Sequence, residues 1–130
     1  MNEECINKRG RVVMDLLSPR MSESLNSYLK QFDKTLPALI TDYAFGSVIA
    51  RDGLDLKTRE MITVASLISL GNATPQLELH FKTALNVGVT KKELLEIIIQ
   101  MAVYAGVPAF MNALEVFRRI LNSARENNTL

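Results

Sequence analysis

The 130 residues include no tryptophan, one cysteine, one histidine and four prolines, and each scarcity removes a class of explanation. The single thiol, Cys5, has no partner within the chain. No disulfide framework is therefore expected, and a reducing, cytoplasmic setting is. One histidine among scattered carboxylates lacks the clustered ligand spacing of a zinc or iron site, so no metal is expected. Fifteen basic residues against fourteen acidic ones leave a net charge of +1. Only Lys8, Arg9 and Arg11 cluster, which excludes the basic footprint of a nucleic-acid binder. The first residues carry Glu3, Glu4, Lys8 and Arg9 without an apolar core, so no signal peptide is expected. The most apolar run, Leu94 to Met111, is interrupted by Glu96, Gln100, Gly106 and Pro108, which makes it a buried helix and turn and not a membrane span. A glycine-rich phosphate loop, a nucleophile elbow, a Cys–His pair and an HExxH motif are all missing. What remains is an acid/base pocket working without a cofactor, or a binding pocket with no chemistry.

Apolar residues make up 48% of the chain and aromatic ones 6%, a composition that points to an aliphatic, methionine-containing helical core. The length suits one domain over residues 1–130. The chain reads as all-α with about six helices, since no period-2 strand pattern of useful length occurs. A first helix spans 3 to 17, weakened by Gly10 and ended by Ser18-Pro19. Ser22 is the expected cap of a second, in which Leu25, Tyr28, Leu29 and Phe32 follow i, i+3, i+4, i+7 spacing. Thr35-Leu36-Pro37 opens a third, closed by Arg51-Asp52-Gly53. Asp55 is the expected cap of the next, which runs to Gly71 with no broad polar side and should be central. Thr74-Pro75 then reads as a cap and first helical position, with Gly88 as the stop. Thr90 to Glu93 has capping-box spacing, and Gly106-Val107-Pro108 turns the chain into a last helix. That helix should place Phe110, Ala113, Leu114, Phe117 and Leu121 inward and Glu115, Arg118, Arg119 and Asn122 outward, and Asn127 to Leu130 should fray. Several helices are apolar on most faces, so a homo-oligomer is expected.

Four polar residues stand where apolar ones are expected, and a buried polar group is either a satisfied tie or the lining of a pocket. Glu60 shares a stripe with Leu56, Val64 and Leu67. His80 borders Leu77 and Ala84 on one side and Gln76 and Thr83 on the other. Gln100 and Tyr104 are i, i+4 neighbours on an otherwise apolar helix. His80 reads as a tie between helices or as an acid/base group. Glu60 reads as a salt-bridge partner or a general base. Gln100 and Tyr104 read as buried hydrogen-bond ties or as donors into a pocket.

Three segments, GLDLKTREM (Gly53 to Met61), ELHFKTALNVGVTKKEL (Glu78 to Leu94) and QMAVYAGVPAFMNAL (Gln100 to Leu114), resemble the carboxymuconolactone decarboxylase family, most strongly over residues 43–114. The H-x3-A-x3-G-x-T-x2-E core and the YxGxP turn occur in order. The resemblance implies an alkylhydroperoxidase D-like helical bundle assembled as a trimer or hexamer. The peroxidase-like branch of that family carries CxxC before the histidine, whereas Ala73 and Gln76 stand at those positions here. Dithiol redox chemistry is therefore excluded. The other branch decarboxylates 4-carboxymuconolactone in aromatic-acid catabolism without a cofactor. By that resemblance His80 is the catalytic proton donor and Glu60 the group that orients or charges it. Gln100 and Tyr104 are candidate donors to an oxyanion or carboxylate, and Arg59 or Arg51 a bidentate clamp on a substrate carboxylate. The implied partner is a small carboxylic acid or lactone, with neither nucleic acid nor membrane involved. Phe45-Gly46-Ser47-Val48-Ile49 departs from the W-G-E-x-W typical of the decarboxylases, and Ala105 stands where they often carry cysteine.

Overall fold

A computed structural model of the chain describes residues 2–128, with side chains described as far as residue 123. Every regular element in that range is helical: α1 (Glu3–Leu17), α2 (Met21–Lys30), α3, α4 (Leu56–Leu70), α5 (Thr74–Asn86), α6 (Lys91–Tyr104) and α7 (Val107–Asn128). Helix α3 opens as one α-turn (Leu36–Ala38) and continues as a π-helix (Leu39–Ile49). The all-α expectation holds, with seven helices among the described residues. The fraying expected of Asn127 to Leu130 extends to residues 129 and 130, which lie outside the described ones. No helix among the described residues is long and apolar enough to cross a membrane. The chain divides into two compact units, Met1–Leu56 and Lys57–Leu130.

In the first unit α1 lies against α3 at a distance only glycine permits. A Cβ on Gly10 would stand 2.0 Å from the Thr41 carbonyl oxygen, and one on Gly46 would stand 2.4 Å from the Ile6 carbonyl oxygen. Gly10, read from sequence as a weak point of its helix, is therefore the residue that lets two backbones meet. Polar ties flank this contact. Asn7 donates from Nδ2 to Asp42 Oδ1 at 2.6 Å, and the buried Thr41 hydroxyl donates to Asn26 Oδ1 at 2.8 Å. The helix turns wide here: the Ala50 amide reaches back five residues to the Phe45 carbonyl, at 2.7 Å.

Two local expectations in this unit are corrected. Ser22 is not the cap of α2, because the helix already begins at Met21 behind Arg20, whose φ is 65°. The buried Ser22 instead gives its amide and hydroxyl to the Asp15 carboxylate of α1, at 3.0 and 2.9 Å. A carboxylate from a neighbouring helix thus satisfies an amide at the start of α2. The regular stripe on α2 is only half used: Leu25 and Leu29 are partly buried, while Tyr28 and Phe32 are exposed and meet edge to face at 5.4 Å.

The second unit has one continuous core. Val64 and Ile68 of α4, Leu77, Phe81 and Ala84 of α5, and Leu94 and Ile98 of α6 pack with Ala113, Val116, Phe117 and Ile120 of α7. Phe81 and Phe117 cross edge to face at 5.7 Å, an arrangement that suits the quadrupoles of the rings. Phe110, Leu114 and Leu121 only flank this core, so α7 is turned slightly from its expected orientation, with Val116 and Ile120 inward. Glu115, Arg118, Arg119 and Asn122 are exposed as expected. Helix α4 buries the single stripe Glu60, Val64 and Ile68, while Ile62 and Leu70 stay exposed. Its expected central burial is therefore confined to one side.

Punctuation in this unit follows the sequence closely. Thr90 Oγ1 accepts from the Glu93 amide at 3.0 Å, and Glu93 Oε1 accepts from the Thr90 amide at 2.9 Å, a complete capping box. Gly88 follows the end of α5 with a φ of 100°. Thr74 is the exception: it is the first helical residue, with Ala73 at the cap position making no side-chain bond.

Candidate functional site

Helix α4 and helix α5 bring two of the expected residues into contact. Glu60 lies on the inward stripe of α4, one turn before Val64, and is only 2% exposed. His80 sits on α5 between the inward Leu77 and Ala84 and keeps 18% of its side chain exposed. Their polar atoms meet at 3.0 Å, His80 Nδ1 to Glu60 Oε2. An ionised carboxylate can only accept, so Nδ1 carries the hydrogen and donates it. Nε2 is then the ring nitrogen left to exchange a proton with a bound molecule.

A third residue, which the sequence marks only as a neighbour of His80, completes the cluster. Thr83, one turn beyond His80 on α5, is fully buried. Its hydroxyl donates to Glu60 Oε2 at 2.7 Å, with the His80 carbonyl at 3.2 Å as the competing acceptor, and its oxygen stands 3.4 Å from the Nδ1 donor. A helical threonine usually bonds back to its own helix. Here the shorter, charge-assisted partner lies on another helix. The available signal was its i+3 relation to His80, which sets both side chains on one face.

The remaining candidates are exposed or half-buried. Arg59 neighbours Glu60 and is half-buried, its carbonyl accepting from Thr63 Oγ1 at 2.9 Å. Arg51 is exposed and belongs to the first compact unit. Tyr104, at the end of α6, is 77% exposed. Gln100 is exposed as well and lines a cleft of about 380 Å³ between α4 and α6, with Met61, Glu96, Ile97 and Ile99. The convergence of all four polar residues, conceivable from the sequence, is thus realised for Glu60 and His80. Among the described residues, no group of three or more His, Cys, Asp or Glu side chains is placed to hold a metal ion. Cys5 is exposed and unpaired in the first unit.

All of the residues named for the site, from Arg51 to Tyr104, fall within residues 34–119, the part of the chain that matches the family model "Carboxymuconolactone decarboxylase family". The chain belongs to that family. Its all-helical architecture is consistent with the alkylhydroperoxidase D-like fold expected of a member. Among similar proteins, the 4-carboxymuconolactone decarboxylase of Acinetobacter baylyi is 33% identical over 121 residues, covering 92% of this chain and 90% of its own. The nitrosuccinic acid decarboxylase of Metarhizium robertsii is 34% identical over 112 residues, 86% of this chain and 78% of its own. An uncharacterised 15.0 kDa protein of Paracoccus denitrificans is 36% identical over 109 residues, 77% of this chain and 81% of its own. The chain is therefore a carboxymuconolactone decarboxylase-like protein, with family-level support for carboxy-lyase chemistry on a small molecule.

Proposed function

We propose that this chain decarboxylates a small carboxylated lactone of the 4-carboxymuconolactone type in aromatic-acid breakdown, in the cytoplasm and as a trimeric or hexameric homo-oligomer. The observation that carries the reading is the His80–Glu60 pair at 3.0 Å within a chain of this family. In the reaction the bond between carbon and the carboxylate breaks and carbon dioxide leaves. The electron pair delocalises through the double bond toward the lactone carbonyl, and a proton is then added at carbon. His80 delivers that proton from Nε2 and regains one from water. Glu60 holds Nδ1–H and offsets the positive charge of the doubly protonated ring. Gln100 and Tyr104 are proposed as donors to the carbonyl or carboxylate, and Arg59 or Arg51 as the clamp on a second carboxylate.

A second reading is another small-acid decarboxylase or acid/base enzyme using the same pair. It is favoured by the near-equal identity to the nitrosuccinic acid decarboxylase, 34% against 33% for the lactone enzyme. Both names denote loss of a carboxyl group from a small acid, so the shared step is decarboxylation next to an electron sink.

Carbon dioxide release from 4-carboxymuconolactone and from nitrosuccinic acid, measured beside His80→Ala, tests both readings. Removing a general acid costs about 100-fold or more in rate, and that loss is expected with the helical content intact. Full turnover by His80→Ala would reject the assigned role. Release from neither acid by the folded wild type would withdraw both substrates, leaving a different small acid or a binding module in which His80 ties helices together.

A further inference from the structure

We infer that Thr83 is the positioning residue of the His80–Glu60 pair: its hydroxyl clamps the Glu60 carboxylate so that one oxygen, Oε2, meets Nδ1–H and proton exchange is confined to Nε2. The inference deepens the proposed function and rests on its assignment of His80 as the proton donor.

A buried carboxylate on a long side chain has several rotamers, and nothing in Glu60 itself selects the one that faces α5. Selection requires a donor that is rigid and has a single hydrogen to give. Thr83 is both. Its χ1 is restricted by branching at Cβ, and it has no exposed surface at which water competes. Its 2.7 Å bond is the shortest in the cluster and reaches the same oxygen that His80 Nδ1 meets at 3.0 Å. Because His80 and Thr83 share one face of α5, a single helix presents two donors to one carboxylate oxygen. Without the hydroxyl, Glu60 is free to rotate and Nδ1–H loses its fixed acceptor. The neutral ring then divides between its two tautomers, and Nε2 is no longer reliably the bare nitrogen. Thr83 touches no substrate in this account. It acts through the orientation of Glu60 and, through that, of the ring.

The chain's sole histidine makes the test direct. In tag-free protein labelled with nitrogen-15 histidine, the two ring nitrogens give one pair of signals whose positions report the tautomer. Wild type and Thr83→Ser are expected to show a protonated Nδ1 and a bare Nε2 in the neutral ring. Thr83→Val, which keeps the shape and removes the hydrogen, is expected to show averaged signals. In carbon dioxide release the same variant should lose about tenfold in kcat with KM little changed, a loss confined to the chemical step, and Thr83→Ser should restore it. If the valine variant does not fold, Thr83→Ala, with less bulk against Glu60, carries the same comparison. A Thr83→Val protein with wild-type ring signals would overturn the inference, as would a Thr83→Val kcat equal to that of a wild type that turns over. If the wild type releases no carbon dioxide from either acid, both substrates are withdrawn, while the ring signals still judge Thr83.

Discussion

At the scale of single residues the site reduces to three side chains, and charge is the property that separates Glu60 from a mere tie. Glu60→Gln keeps the length of the side chain and an acceptor oxygen but turns a charge-assisted bond into a neutral one. Charge-assisted bonds are roughly twice as strong, so the variant should lose about tenfold in kcat, near 1.4 kcal/mol. Carbon dioxide release compared with a thermal melt checks this. Equal rates in the two proteins would remove the charge from the account and leave Glu60 as a structural acceptor. Glutamate and histidine were both legible in the sequence as polar residues on apolar stripes. Thr83 was not, because a threonine inside a helix needs no partner beyond its own backbone, and nothing local announces a carboxylate 23 positions earlier.

At the scale of elements, the start of α6 is the best-specified junction in the chain. The Thr90 and Glu93 side chains each accept from the other's backbone amide, and Lys57 Nζ stands 3.2 Å from Glu93 Oε1. The Thr90 amide first, then the Lys57 ammonium, holds the Glu93 carboxyl below its ordinary value of 4.5. A depressed carboxyl contributes stability above its unfolded pKa and loses it as pH falls through the folded value. The gap in melting temperature between wild type and Glu93→Gln should therefore be full at neutral pH and narrow once the pH drops below 4.5. Thr90→Ala should lower stability at neutral pH by about 1 kcal/mol, the usual worth of a cap. A gap that persists unchanged into acid would mean that the neutral amide serves the junction as well as the carboxylate does.

At the scale of the whole molecule the notable feature is what the isolated chain leaves uncovered. On α6 and the start of α7, Ile99, Val103, Tyr104, Val107 and Met111 are 46, 78, 77, 62 and 56% exposed. Large exposed apolar side chains gathered on neighbouring turns mark an interaction surface, and the expected homo-oligomer gives them a cover. Val103→Glu should then shift the protein toward the monomer in light scattering coupled to size exclusion, because a carboxylate cannot be buried unpaired at an interface. A wild type that runs as a monomer would remove the oligomer from the proposal. It would also return Tyr104 to solvent, where it has no part in a pocket.

The sequence by itself determined whatever depends on neighbours along the chain. The helices, the capping box at Thr90, the stop at Gly88 and the motif around His80 that carries the family are all of this kind, because caps and turns are satisfied within a few residues. Tertiary structure alone decided the rotation of each helix about its axis and the partner it meets. That is why Val116 and Ile120 turned inward on α7, why Asp15 and not Ser22 serves the start of α2, and why Gly10 proved to be a point of contact. Periodicity gives the spacing of side chains along a helix, but which stripe is buried follows from the surface packed against it. The Thr83 hydrogen bond to Glu60 exists only because α4 and α5 meet along those stripes.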